Sequence, residues 1–127
     1  MSNGASKRVL AVLDDLFFTV KINEAAKRAG LPIAFVKSEA DVLAKAGDAE
    51  SRPVLIIVDL NCGGIDPLKL IGLLKGSDAT KDISLMGYLS HVQGELKQAA
   101  QIAGCDMVMA RSAFSQNLPQ ILKRHAN

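Results

Sequence analysis

Long hydrophobic runs are missing. No apolar stretch in the 127 residues approaches the roughly 18 that a membrane-spanning helix needs. Cysteine is scarce: Cys62 and Cys105 lie far apart and outside any CxxC spacing. That argues against a structural zinc site or a disulfide framework. Two reduced thiols are expected, Cys105 in the core and Cys62 in a loop. Charge of one sign is missing too. The formal net charge is +2, aromatics make up 4% of the chain, and no basic block or Lys/Arg stripe with interleaved aromatics occurs. A nucleic-acid partner is therefore not expected. The first residues, MSNGASKR, are polar and lack the apolar segment of a signal peptide, so a cytoplasmic location is expected. There is no repeat, low-complexity tract or linker. The length suits one domain over residues 8–127 behind a disordered tail at 1–7.

What is present is an alternation. Apolar residues make up 49% of the chain, enough to drive burial. Residues 8–13 (RVLAVL), 32–36, 53–59 (PVLIIVD), 83–89 and 106–110 read as strands, with Gly87 weakening the fourth. Between them run segments of helical period. In 15–29, Leu16, Val20, Ile22, Ala26 and Ala29 fall near helical spacing and Gly30 closes the helix. Ser38 caps a second helix that stops at Gly47. Asp66 caps a third, with Pro67 in the first position, where its missing N–H costs nothing, and Gly76 ends it. A fourth helix is predicted over 91–103, ending at Gly104, and a fifth over 114–125, where Pro119 implies a late start or a kink.

Strands apolar on both faces, joined by helices, predict an α/β fold with a parallel sheet covered on both sides. Right-handed crossovers favour the doubly wound open sheet, in which ligands bind outside the carboxyl ends of the strands. Those ends carry Asp14-Asp15, Asp59, Ser90 and Arg111-Ser112. Carboxylates brought together repel, so such a cluster holds a proton or a hard cation. One or two carboxylates with water suit Mg²⁺. Arg111 and Ser90 could then contact the oxygens of an incoming phosphoryl group.

These residues also carry a resemblance. From about Arg8 to Leu122 the chain resembles the receiver domain of two-component response regulators. VLDDL is similar to that family's acidic pair after the first strand, and DLNCGGIDPLKLI to its phosphoacceptor segment, commonly D-x-x-M-P-x-x-D-G-x-x-L. LSHVQGELKQAAQIAGCDMV is similar to the stretch from the fourth strand's Thr/Ser to the Ala-Gly-Ala-Asp ending. The resemblance implies a flavodoxin/CheY-like five-stranded parallel sheet of order 2-1-3-4-5. It implies a stand-alone phosphorelay module, not an enzyme beyond its own phosphorylation and dephosphorylation. Asp59 would accept a phosphoryl group from a histidine kinase or a small phosphodonor. Weakly bound Mg²⁺ would be held by Asp14, Asp15, Asp59 and the backbone carbonyl of Asn61, with Ser90 and Arg111 on the phosphate. The face of the fourth helix, fifth strand and fifth helix would meet a downstream protein or a second copy in a homodimer.

The departures from the family pattern are specific. Its Lys-Pro after the fifth strand is Arg111-Ser112 here, and Arg is longer and forked. Its switch aromatic on the fifth strand falls on Val108, and Gly63 and Pro67 replace a proline and a glycine around the acceptor loop. Ser90 meets the Thr/Ser position only with one residue of loop allowed. A second reading follows: a pseudo-receiver that binds partners without phosphorylation. A flavodoxin-like cofactor binder ranks last, because DDLFFT offers acids where a phosphate cradle should stand.

Each residue also has a structural role open to it. Asp59 can end a strand and cap the glycine turn. One of Asp14 and Asp15 can cap the first helix, with Asp15 favoured as the metal ligand. Ser90 fits a Ser-x-x-Gln capping box with residues 91–93, and Ser112 fits the cap of the last helix. Arg111 is expected to pair with Asp59. His91 and His125 read as surface residues, Met86, Met107 and Met109 as core filler, and one of Phe17 and Phe18 as a core residue.

Overall fold

The computed structural model describes residues 7–90 and 94–126. Residues 1–6 of the expected tail, His91 and the partners of the Ser90 capping box lie outside the described residues; Lys7, the last residue of that tail, stands half-buried just ahead of the first strand.

Among the described residues five strands alternate with five helices: β1 Val9–Val12, α1 Leu16–Ala29, β2 Ile33–Val36, α2 Glu39–Ala46, β3 Leu55–Asp59, α3 Pro67–Lys75, β4 Ser84–Leu89, α4 Gly94–Ala103, β5 Met107–Ala110 and α5 Arg111–Ala126. All pairings are parallel and the order is β2-β1-β3-β4-β5, as the resemblance implied. Alternation along each strand divides the core. Leu10, Val12, Ile56, Val58 and Leu85 point into the layer of α2, α3 and α4. Val9, Ala11, Leu55, Ile57, Met86 and Tyr88 point into the layer of α1 and α5. Each large aliphatic side chain so buried contributes about 1.5–3 kcal/mol, which is why the central strands read as unbroken apolar runs. No described helix is long and apolar enough to cross a membrane.

Local chemistry places most helix ends. The Ser38 side chain accepts from Asp41 N at 3.1 Å, Asp66 accepts from Lys69 N at 3.2 Å with Pro67 following, and Gly30 takes the left-handed φ of 73° that ends α1. Two helices depart from expectation. On α1 the inward residues are Phe18, Ile22 and Ala26, while Leu16 and Val20 are exposed. Two positions along a helix turn through about 200°, so once Phe18 and Ile22 face in, Leu16 and Val20 face out. On α5 the helix neither starts late nor breaks: it begins at Arg111, directly on the end of β5, and continues through Pro119. Ser112 is therefore inside the first turn and is not the cap. An interior proline costs about 3 kcal/mol, and burial of Leu118, Ile121 and Leu122 on either side of it outweighs that.

Met86 is buried as expected, but Met107 is 39% exposed, because β5 is an edge strand. Gly87 sits inside β4 for a packing reason. A side chain there would meet Leu60 and the Cys105 sulfur at 3.1–3.2 Å. Both cysteines are free and buried, Cys62 included, although it lies in the loop after β3.

Candidate functional site

The carboxyl ends of β1, β3, β4 and β5 lie along one edge of the sheet, where α1 and α5 begin. Asp59 is the last residue of β3 and only 4% exposed. Its Oδ1 accepts from Asn61 N at 2.8 Å, and its carbonyl accepts from Cys62 N at 3.1 Å, which closes the turn toward the glycines. Asn61 spans to the next strand: its Oδ1 accepts from Ser90 N at 2.7 Å. Asp59, Asn61 and Ser90 are thus joined through the β3 and β4 ends. Burial pushes the Asp59 carboxyl above its ordinary pKa; the Asn61 N–H and Arg111 oppose this, and Asp14 and Asp15 add to it.

The acidic pair divides its labour. Asp15 caps α1, its Oδ1 accepting from Phe17 N at 2.9 Å and Phe18 N at 3.3 Å. Its Oδ2 faces Arg111 at 3.7 Å. Asp14 is exposed and makes no hydrogen bond or ion pair among the described residues. The ion-pair partner of Arg111 is therefore Asp15. Asp59, the expected partner, feels Arg111 only through its field, because the capping geometry brings Asp15 closer to the first turn of α5. Asp14, expected to rank second as a cation ligand, is the acid with both oxygens open.

Among the described residues no three His, Cys, Asp or Glu side chains converge as a ligand set. The donors on offer to a cation are one or two carboxylates with backbone oxygen and water. That set suits Mg²⁺, which keeps much of its hydration, and does not suit a closed protein cage. The repulsion that Asp14 and Asp15 exert on Asp59 is what such a cation would relieve.

Beneath these residues lies an aromatic stack that the sequence reading missed. Tyr88 is opposite Asp59 in the β3–β4 register. Its ring stacks on Phe114 at 4.7 Å and 8° and on Phe18 at 5.2 Å and 30°. Phe18 is the core member of the phenylalanine pair; Phe17 is 73% exposed. Only the coincidence of aromatics on β4, α1 and α5 could have signalled this cluster, and that requires the layer assignment first. The Tyr88 hydroxyl is buried without a hydrogen-bond partner among the described residues. Burial raises its pKa, Asp59 adds to this and Arg111 opposes it, so the phenol stays protonated. Tyr88→Phe keeps the stack and removes the hydroxyl. Unfolding free energy is expected to hold or rise by about 1 kcal/mol in urea titrations followed by circular dichroism; a fall of that size would show that the hydroxyl is bonded in solution.

Cys62 is also close, and burial followed by the fields of Asp14 and Asp59 pushes its thiol above the ordinary value, which leaves it unreactive. His125 is far from this edge in sequence and fold, its Nδ1 2.9 Å from the carbonyl of Ile121.

No protein-family model and no curated protein matches the sequence. Solved structures do match the fold. A response regulator from Hahella chejuensis superposes with a TM-score of 0.82 at 20% identity, over 94% of this chain and 95% of that one. The phosphorylated cyanobacterial phytochrome response regulator RcpA gives 0.78 at 22% identity, over 94% and 91%. The Mn²⁺-bound form of the response regulator Rcp1 gives 0.75 at 18% identity, over 93% and 90%. At such identity the likeness is one of architecture: the chain has the CheY-like fold of response-regulator receiver domains.

Proposed function

We propose that the protein is a receiver module of a phosphorelay and accepts a phosphoryl group on Asp59. One observation carries this reading. A carboxylate stands buried at the end of the central strand with Oδ1 fixed by Asn61 N and Oδ2 without a partner among the described residues. A fixed anion with one open oxygen is a prepared nucleophile. In the transfer, an oxygen of the Asp59 carboxylate bonds to phosphorus as the bond from phosphorus to the donor's leaving atom breaks, an imidazole nitrogen for a phosphohistidine or the acyl oxygen for a small acyl phosphate. The leaving group departs with that electron pair, and Asp59 has no proton to lose. Arg111 supplies positive charge toward the phosphoryl oxygens, and Ser90, held at the mouth by its bond to Asn61, can donate to one of them. Asp59 and Asp14, with Asp15 and the Asn61 carbonyl nearby, would hold Mg²⁺. When bound, that ion would neutralise charge between the acids and the incoming phosphate.

The phosphodonor is a histidine kinase or a small acyl phosphate, and the output is binding to a downstream protein. Exposed Ile102 on α4 and Met107 on β5 give the α4–β5–α5 face an apolar character suited to such a partner or to a homodimer. The cytoplasm is the compartment this role requires. The pseudo-receiver reading has its own support: Asp15 is committed to its cap and to Arg111, which weakens any cation site.

The deciding experiment is intact mass after incubation with acetyl phosphate and Mg²⁺, beside an Asp59→Asn control. A gain of one phosphoryl group, absent in the control and without Mg²⁺, is expected. No gain, together with no Mg²⁺ binding by calorimetry, would favour the pseudo-receiver.

A further inference from the structure

Arginine at position 111 raises a mechanical problem. Its side chain is long and flexible, and a guanidinium swinging in solvent would hold its charge poorly over the acidic edge. Its one ion pair among the described residues, to Asp15, is long at 3.7 Å, with both side chains about a third exposed. A pair of that kind contributes little by itself. Yet Arg111 Nε is buried and has no hydrogen-bond partner among the described residues, so no bond at that nitrogen keeps the side chain down. The contact present is with an aromatic face: the guanidinium carbon lies 5.1 Å from the Phe18 ring centroid. That is within the distance at which a cation is attracted to a ring face.

Phe18 itself is fixed. It is buried to 4% exposure and stacked on Tyr88 at 5.2 Å and on Phe114 at 6.2 Å. Phe114 is one turn on from Arg111 on α5, so the helix that carries the charge also carries part of its platform. The backbone N–H of Phe18 is meanwhile held by Asp15, the acid facing Arg111. Ring, acid and guanidinium thus form one unit that bridges the first turns of α1 and α5.

We infer that Phe18 is a positioning residue of this site, its ring seating the Arg111 guanidinium so that the positive charge stands over the acidic edge beside Asp15. The seat suits arginine, whose flat guanidinium can lie against a ring while its N–H groups stay free to donate. A lysine ammonium is more strongly hydrated and stacks less well. The functional part of this inference rests on Asp59 as the acceptor; the seat itself does not.

The test uses Phe18→Leu, Phe18→Tyr and Arg111→Lys, each read in two ways. In ¹⁵N–¹H spectra the Arg111 Nε–Hε signal, assigned by its loss in Arg111→Lys, is expected upfield of the exposed arginines, through the ring, and slow to exchange. Phe18→Leu should return it to the bulk position and Phe18→Tyr should keep it. In the acetyl phosphate assay, Phe18→Leu should slow phosphoryl uptake about tenfold, Arg111→Lys should slow it comparably while leaving the stack whole, and Phe18→Tyr should retain most of the rate. An unchanged Arg111 signal in Phe18→Leu, or equal damage from Phe18→Leu and Phe18→Tyr, overturns the inference. If the unaltered protein takes up no phosphoryl group, the acceptor reading fails, and the spectra alone still decide whether the seat exists.

Discussion

Asp59→Asn is expected to make the unmodified protein more stable at pH 7, by about 1–2 kcal/mol, a few degrees in melting temperature. Asparagine keeps an Oδ1 that accepts from Asn61 N, so the turn after β3 survives. What it removes is a charge held in a buried place. The Asp59 carboxyl is raised above 3.8, first by burial, against the Asn61 N–H and Arg111, with Asp14 and Asp15 adding to it. Between its ordinary pKa and the raised one, the folded protein binds more protons than the unfolded chain. Stability attributable to this group therefore falls as pH rises through that window and stays low above it. The gain from Asp59→Asn should be largest at neutral pH and should vanish below the ordinary carboxyl range, where both states are protonated. Thermal melts from pH 3 to 8 without Mg²⁺ measure it. A gain that is the same at every pH, or a loss at pH 7, would refute this account of Asp59. Added Mg²⁺ should narrow the gap by stabilising only the protein that binds it.

Asp106→Ala is expected to cost about 2–3 kcal/mol, from hydrogen bonds to charged groups, although it lies at the opposite end of the sheet. One oxygen, Oδ2, accepts from Leu85 N at 2.8 Å and from Lys75 Nζ at 3.0 Å. Lys75 Nζ also donates to the carbonyls of Lys81 at 3.1 Å and Ile83 at 3.2 Å. A single ammonium thus joins the end of α3, the start of β4 and the start of β5. Removing Asp106 leaves Leu85 N without that acceptor and the Lys75 charge without its counterion, and the ammonium is only partly exposed. Asp106→Asn, which keeps an acceptor, should lose about half as much. Urea denaturation reads the difference. A loss under about 0.5 kcal/mol would mean that water replaces the carboxylate at no real cost.

That latch shows how far local reading reaches. Gly104 is legible as the stop of α4 because glycine ends helices. Its φ of 118° suits the role. Its second role is not legible: the stem of Lys75 packs where a side chain would stand, 2.7 Å from the missing Cβ. Asp106 reads in sequence as one more charge ahead of a strand, since its partner is 31 residues away. The site divides along the same line. Asp59 is marked by the apolar run that stops at it, and the cap by the acidic pair before α1. The choice between Asp14 and Asp15, and the choice of acid for Arg111, depend on where α1 and α5 begin relative to each other.

Periodicity and short-range hydrogen bonding were enough for the five strands, the five helices, the caps at Ser38 and Asp66, the glycine stops and the placement of acids on one edge. These features need only a few neighbours along the chain. Packing across the layers settled the rest. It turned Phe18 inward and Phe17 outward, started α5 at Arg111 and carried it through Pro119, left Met107 on an open edge, and set Tyr88 and Phe114 under the acidic edge. Those outcomes depend on which surfaces meet once α1 and α5 lie side by side on the sheet, and that meeting brings together residues almost a hundred positions apart.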